Sequence, residues 1–383
     1  MERNREEWNR KIAKMKREQK RARIRQRLLL IVGVLVIFIV AVPITSAVKR
    51  HKNGSSDTTA EGTDLIGKNN RSGIKIDVQD EALKSADQQL SGSISEYDAA
   101  TGIADNKVKP VNTKTYSYEE AENVDYLSGD NMTSQYAILV DVDDALITGA
   151  VDCKARIFPA SMTKIMTLLV AAENIDNFDK KVPVSQDATN YAYSKKLSAV
   201  NFAIGEEVTL GDLCYGTILP SGADAAAELA IQVAGSMDAF VELMNEKAKA
   251  LGIGDTTHFS NVSGSYDDNN YSTCYDMAII MNAAMDDEYC RKVLSEHKYT
   301  TSKTTEHPEG IDISNWFLRR IEDKDTGGEV IGAKTGFVVE SRNCAASYYT
   351  SASGKNYIAV TVNAHSAWRC IYDHVDIYKN HTT

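Results

Sequence analysis

The stretch Pro159-Ala-Ser-Met-Thr-Lys164 (PASMTK) leads straight into Ile165-Met-Thr-Leu-Leu-Val-Ala-Ala172, an apolar segment long enough to form a buried helix. Ser161 and Lys164 stand three residues apart, and helical spacing i, i+3 places both side chains on one face. Either the pair is a nucleophile and the base that activates it, or it is a helix cap followed by a surface lysine whose stem lies along apolar surface. A helix N-terminus also offers unpaired N–H groups and the positive end of a dipole to a developing oxyanion. Lys164 can take a proton only when neutral, which requires burial or a second cation nearby. The apolar helix supplies the first condition and Lys334 is a candidate for the second.

The pattern S-x-x-K occurs four times, at Ser46–Lys49, Ser72–Lys75, Ser161–Lys164 and Ser295–Lys298, and only the third opens a long apolar helix. Its surroundings read as one folded unit. Tyr136-Ala-Ile-Leu-Val-Asp-Val-Asp-Asp144 is a short apolar strand ending in acidic turn residues, and a second strand precedes Pro159. Leu210–Leu219 and Ala223–Val233 read as helices flanking a Pro-Ser-Gly break. A further amphipathic helix starts at Met237, with Gly252 as its C-terminal stop. Ser272 or Thr273 caps another helix, and Asp286–Ser295 adds one more. The period then changes. Glu329–Val339, Asn343–Thr350 and Asn356–Ala364 read as strands, the last two joined as a hairpin, and a helix from Ala367 closes the chain. Strand first, helices in the middle and an antiparallel meander at the end predict an α+β domain whose first strand joins the late ones.

Two further motifs fall in order behind the first. Leu219-Pro-Ser-Gly-Ala-Asp-Ala-Ala226 puts Ser221 at a helix-starting break, and Gly332-Ala-Lys-Thr-Gly-Phe337 carries Lys334-Thr335-Gly336 into a strand. S-x-x-K, then S-G-x, then K-T-G, on matching elements, are the signatures of penicillin-binding proteins and serine β-lactamases. With FPASMTKIMTLLVAAE, LPSGADAAAELA, FVELMNEKAKALG, THFSNVSG and GAKTGF, residues 135–380 resemble the low-molecular-mass D-alanyl-D-alanine carboxypeptidases. The resemblance implies a β-lactamase/transpeptidase-like fold, an antiparallel sheet flanked by helices with a mostly helical subdomain. It also implies a serine hydrolase that removes the terminal D-alanine from peptidoglycan stem peptides and is covalently inhibited by β-lactams.

Carried over residue by residue, the resemblance makes Ser161 the acylated nucleophile, Lys164 its general base and Ser221 a proton relay to the leaving amine. Lys334 and Thr335 would hold the terminal carboxylate, a cation and a hydroxyl donor suiting that anion. Gly336 would let substrate lie against the strand, and the N–H groups of Ser161 and Phe337 would form an oxyanion hole. One position departs from the family's usual Ser-x-Asn: Ala223 stands where an amide is expected, with Asn261 and Asp224 as possible substitutes. That departure keeps open a catalytically weak penicillin-binding or wall-sensing protein of the same fold. A β-lactamase is disfavoured because no E-x-x-L-N segment lies between the second and third motifs. Cleavage of cross-links remains an alternative, since sequence does not reveal how far a cleft extends.

The N-terminal third reads differently. Residues 1–27 hold twelve Lys/Arg against four Glu, a balance of +8 in a chain of net charge -10. Leu28–Val48 follows, 21 residues without a charge. At about 1.5 Å per residue that is enough to cross a hydrocarbon core of about 30 Å. The excess of positive charge before it places the N-terminus in the cytoplasm and the remainder outside, with the lipid bilayer met through residues 28–48. Thr45-Ser46-Ala47 resembles a signal-peptidase site, but the run exceeds the about 7–15 apolar residues of a secretory signal, which favours an uncleaved anchor. Residues 49–115, rich in Ser, Gly, Asp, Asn and Lys, read as a solvated linker before a catalytic domain over 116–383. The basic run is a topology determinant, with no folding context for nucleic acid. Six widely spaced cysteines contain no C-x-x-C, and are either buried apolar residues or bridges. Seven histidines form no metalloprotease pattern and Asp267–Asn270 lacks the spacing of a calcium loop, so no metal or other cofactor is implied.

Overall fold

A computed structural model describes residues 112–127 and 132–382; the basic segment, the apolar run 28–48 and nearly all of the linker lie outside them. Three strands open the domain, β1 (Glu119–Tyr126), β2 (Tyr136–Asp141) and β3 (Leu146–Val151). A single 3-10 turn, Ala160–Met162, then leads into α1 (Thr163–Asn174), whose residues 163–172 are all buried. A helix enclosed on every side belongs at the centre of a fold. The ribbon β4 (Lys181–Pro183) and β5 (Glu207–Thr209) brackets α2 (Gln186–Ser194).

Next comes α3 (Leu210–Ile218), started by a capping box in which Asp212 N donates to Thr209 Oγ1 and Thr209 N donates to the Asp212 carboxylate. The helices α4 (Ala223–Ala234), α5 (Met237–Ala250), α6 (Cys274–Asp286) and α7 (Glu288–Leu294) follow. Gly252, at φ +79°, terminates α5 in the left-handed region, and Thr273 caps α6. A second ribbon, β6 (Lys298–Thr300) with β7 (Asp312–Ser314), and one turn of helix, α8 (Leu318–Ile321), precede the meander β8 (Gly328–Val338), β9 (Arg342–Ser351) and β10 (Asn356–Ala364). The helix α9 (Ala367–His381) is the last element described.

The main sheet runs β1-β3-β2-β10-β9-β8. As expected, the early strand β2 joins the late ones, antiparallel to β10 with Tyr136 opposite Val362 and Asp141 opposite Tyr357. Both faces of the sheet are covered. On one, Ile138, Val140, Ile358 and Val360 pack with Met166, Leu169 and Met281 of α1 and α6. On the other, Ala137, Leu139 and Ala359 meet Ile371, Ile377 and Tyr378 of α9 and Leu318 of α8. Strand alternation divides the two sets. β1, α2 and the two ribbons were not expected. β1 is an exposed polar edge strand with no apolar period, paired in parallel with β3. The ribbon strands are only three residues long. All six cysteines are free and, apart from the half-buried Cys153, buried.

Candidate active site

The enclosed helix α1 delivers its N-terminus to the edge strand β8. Pro159 and Ala160 bend the chain into the 3-10 turn that carries Ser161, with Ala160 at φ +47°, a strained conformation for a residue with a Cβ. Two close approaches hold this bend. A Cβ on Gly264 would lie 1.7 Å from the Ala160 carbonyl oxygen, and one on Gly336 would lie 2.7 Å from Cys344 Sγ and 3.0 Å from Ser161 N. Only glycine lets β8 and the 261–265 loop come this near the serine backbone.

Lys164, in the first turn of α1, is 2% exposed. Its Nζ donates to Ser161 Oγ at 3.1 Å and to the Ser263 carbonyl at 2.7 Å. This excludes the surface-lysine reading of the motif. Burial, reinforced by the neighbouring charge of Lys334 and opposed by Asp224, holds the Lys164 amine well below the ordinary lysine range. Lys334 on β8 is equally buried, and its Nζ donates to Ser221 Oγ at 2.9 Å and to the Thr335 carbonyl at 2.8 Å. Burial lowers it to about 7.

Ser221 is not a helix cap. Gly222 occupies the N-cap of α4, and Ser221 precedes it at φ +61° with its hydroxyl facing Lys334. Gly222 is required there because a Cβ would lie 2.7 Å from both the Gly216 carbonyl oxygen and Val200 Cγ2. Ser161, Lys164, Ser221, Thr335, Gly336 and Phe337 line one cavity of about 360 Å³, with Lys334 behind Ser221. The structure therefore brings together all seven residues singled out from the sequence. Phe337, 60% exposed, stands at the mouth.

Neither expected substitute for the missing amide replaces it. The Asp224 carboxylate accepts from Val200 N and Asn201 N, both at 2.9 Å, and so clamps the 200–201 segment. Asn261 Oδ1 accepts from the backbone N–H groups of Ser263, Gly264 and Ser265, while its Nδ2 donates to the Ser265 carbonyl. Both side chains are spent on shaping loops. Asn261 thereby positions the Ser263 carbonyl that meets Lys164, a part of the site that sequence reasoning missed. Its signal was the Asn-x-x-Gly turn within SNVSG. Trp316, Ala367 and Cys370, which form another wall, were also missed, because they come from loops and helices remote in sequence.

Comparison with known structures places this arrangement among the DD-peptidases of the low-molecular-mass penicillin-binding type, with a transpeptidase/β-lactamase-like α+β fold. The Streptomyces K15 DD-transpeptidase superposes with a TM-score of 0.58 at 26% identity, over 66% of this chain and 98% of that one. Penicillin binding protein 5 from Haemophilus influenzae gives 0.57 at 26% identity, over 64% and 70%. Residues 121–366 match the Peptidase_S11 family of D-alanyl-D-alanine carboxypeptidases, and the chain belongs to that family. The D-alanyl-D-alanine carboxypeptidase DacF of Bacillus subtilis is 32% identical over 208 residues, 54% of this chain and 52% of that protein. The Streptomyces K15 D-alanyl-D-alanine carboxypeptidase is 31% identical over 240 residues, 59% and 79%. The chain thus spans about half the length of the Bacillus relative and most of the Streptomyces one.

Proposed function

We propose that this protein is a membrane-anchored serine DD-carboxypeptidase that removes the terminal D-alanine from peptidoglycan stem peptides through an acyl-enzyme on Ser161. The observation that carries the reading is the buried Lys164 amine 3.1 Å from Ser161 Oγ, with its proton affinity depressed by burial and by Lys334. Such an amine is neutral when it meets the serine and can take its proton. Ser161 Oγ then attacks the penultimate carbonyl. The N–H groups of Ser161 and Phe337 receive the oxyanion, each donor of this kind contributing about 3–4 kcal/mol to acyl transfer. Lys334 and Thr335 hold the terminal carboxylate, and substrate binding favours the protonated form of Lys334. Ser221, hydrogen-bonded to Lys334, passes a proton to the departing amine of D-alanine. Water, activated in turn by Lys164, hydrolyses the ester.

Family membership, the match to DD-peptidase structures and the convergence of three separate motifs in one cavity support this function. The charge-free run 28–48 behind a basic segment supports the anchor, with the catalytic domain outside the cytoplasm. Among the described residues no helix is long and apolar enough to cross a membrane. The protein should release D-alanine from a stem pentapeptide and form a covalent adduct with a penicillin, and Ser161→Ala should lose both. Persistent release in that variant would refute the assignment. The second reading, a weakly catalytic penicillin-binding or wall-sensing protein, is favoured by one observation: Asp224 and Asn261 are both engaged elsewhere, so no amide replaces the one absent at Ala223. It predicts intact penicillin labelling with slow peptide turnover.

A further inference from the structure

Ser263 is 1% exposed, lines the catalytic cavity with Ser161 and Lys164, and accepts from the Lys164 amine through its carbonyl at 2.7 Å. Its hydroxyl has a separate set of partners. Ser263 Oγ lies 2.7 Å from the Tyr191 hydroxyl, accepts from Ser265 N at 3.3 Å and stands 3.3 Å from Asn261 Oδ1. Asn261 Oδ1 already receives three backbone N–H groups, so the shorter contact, to Tyr191, is the one that takes the Ser263 hydrogen. A hydroxyl oxygen has two lone pairs, and with one engaged by Ser265 N the other is left for a further donor. Tyr191 is fixed in turn. Its half-buried ring packs against the main core, and Lys195 Nζ lies 4.9 Å from the ring while donating to Ser265 Oγ at 3.5 Å. The segment from α2 to Lys195 is thus tied to the 261–265 loop at two points.

In the function proposed above, on which this inference rests, Lys164 works twice, taking a proton first from Ser161 and later from water. The serine is held 3.1 Å from the amine. Water needs a holder of its own. The carbonyl oxygen and Oγ of one serine lie about 4 Å apart by covalent geometry, so Ser263 Oγ stands within a span of Lys164 Nζ that one water bridges with two hydrogen bonds of about 2.8 Å. We propose that Ser263, its hydroxyl turned by Tyr191, positions the water that hydrolyses the acyl-enzyme and so favours hydrolysis over transfer to another amine. Tyr191 is a positioning residue that acts through Ser263.

The step balances without any further reactant. The water gives one hydrogen to the neutral Lys164 amine and holds the other against Ser263 Oγ. Its oxygen bonds to the ester carbon, and the bond from that carbon to Ser161 Oγ breaks. Lys164 returns the proton to Ser161 Oγ, and the shortened stem leaves as the acid. An amine acceptor instead retraces the path by which D-alanine departed, past Ser221, Lys334 and Thr335, and has no use for Ser263.

The test uses the full chain, a stem pentapeptide and D-methionine as the competing amine. Tetrapeptide from hydrolysis and D-methionine pentapeptide from transfer are counted by mass spectrometry. Both come from one acyl-enzyme, so their ratio is independent of acylation. The ratio of hydrolysis to transfer should fall about tenfold in Ser263→Ala, the loss of one hydrogen bond to the water, and less in Tyr191→Phe. Ser263→Thr keeps the hydroxyl and should keep the ratio. A merely structural role would lower both products together, and an unchanged ratio in Ser263→Ala or, should that variant not fold, in Tyr191→Phe would overturn the proposal. So would an equal fall in Ser263→Thr. A wild type that forms no penicillin adduct and neither product would overturn the carboxypeptidase reading and this inference with it. If the wild type labels with penicillin but cleaves no peptide, the weakly catalytic reading stands and loss of the penicilloyl mass becomes the readout. That loss should slow about tenfold in Ser263→Ala, and an unchanged rate would overturn the water site alone.

Discussion

The two faces of the sheet bury ionisable groups in opposite ways. Beneath α9, His374 is fully buried, with Nδ1 2.7 Å from Ser347 Oγ and Nε2 3.0 Å from Thr361 Oγ1, and Ser347 Oγ also lies 2.6 Å from the Tyr378 hydroxyl. Burial pushes His374 down to about 3, so the ring stays neutral and both its nitrogens are satisfied. Across the sheet, Lys164 and Lys334 are just as buried, yet among the described residues each amine hydrogen-bonds only to a serine hydroxyl and one carbonyl, and Asp224 acts on Lys164 only through space, against its depression. Ala160 and Ser221 add positive φ on that face. A saturated network gives a unique, rigid core, whereas amines whose proton affinity is lowered by burial are costly to fold and ready to exchange protons.

Breaking the lysine face should have the largest effect. Lys164→Met removes the base, and penicillin acylation measured by mass spectrometry should slow by about a thousandfold or more. The same variant should be more stable than the wild type. Between its depressed value and the ordinary 10.5, the folded Lys164 has shed a proton that the unfolded chain retains. Unfolding therefore takes up a proton, and wild-type stability from this group rises with pH across the window between the depressed value and 10.5. The excess melting temperature of Lys164→Met should accordingly shrink as pH approaches 10.5. A variant that is less stable at every pH would undo the comparison.

His374→Leu should do the reverse. It leaves the hydroxyls of Ser347 and Thr361 without their ring partner and should cost about 2–4 kcal/mol in urea unfolding. Acylation per folded molecule should change little, and a large catalytic loss would show that the two faces are coupled.

The smallest effect is the pH profile. Acylation needs Lys164 neutral and Lys334 charged, so kcat/KM for a carboxylate-bearing peptide should rise as Lys164 loses its proton. It should fall as Lys334 loses its own, near 7 in the free protein. With a substrate whose terminal carboxylate is converted to an amide the alkaline fall should disappear. A fall that persists would assign it to another group.

Local signals in the chain marked most of the scaffold. The cap at Ser272 or Thr273, resolved to Thr273, Gly252 behind α5 and the alternation in β9 and β10 each act within a few residues, so their positions could be read directly. α2 escaped because Gln186–Ser194 buries only Ala188 and Ala192, too narrow an apolar face to stand out despite the Ser185 cap. β1 escaped because its partner β3 supplies the reason for its extended form. The site divides the same way. Ser161 and Lys164 were legible as a helical pair, whereas Ser221 was legible only as a residue at a helix-starting break until Gly222 proved to hold the cap position. Asn261 looked like a substitute amide until its oxygen proved to be held by three backbone donors.

By itself the sequence determined the order of three motifs, the elements that carry them and a basic, apolar and polar N-terminal succession, because these depend on neighbours along the chain. Only the tertiary structure decided that Lys164 is enclosed, that Lys334 stands close enough to depress it and that Trp316 walls the same cavity. Those properties come from the exclusion of water and from charge at short range between segments up to 170 or so residues apart, and no local pattern records which distant segments will meet.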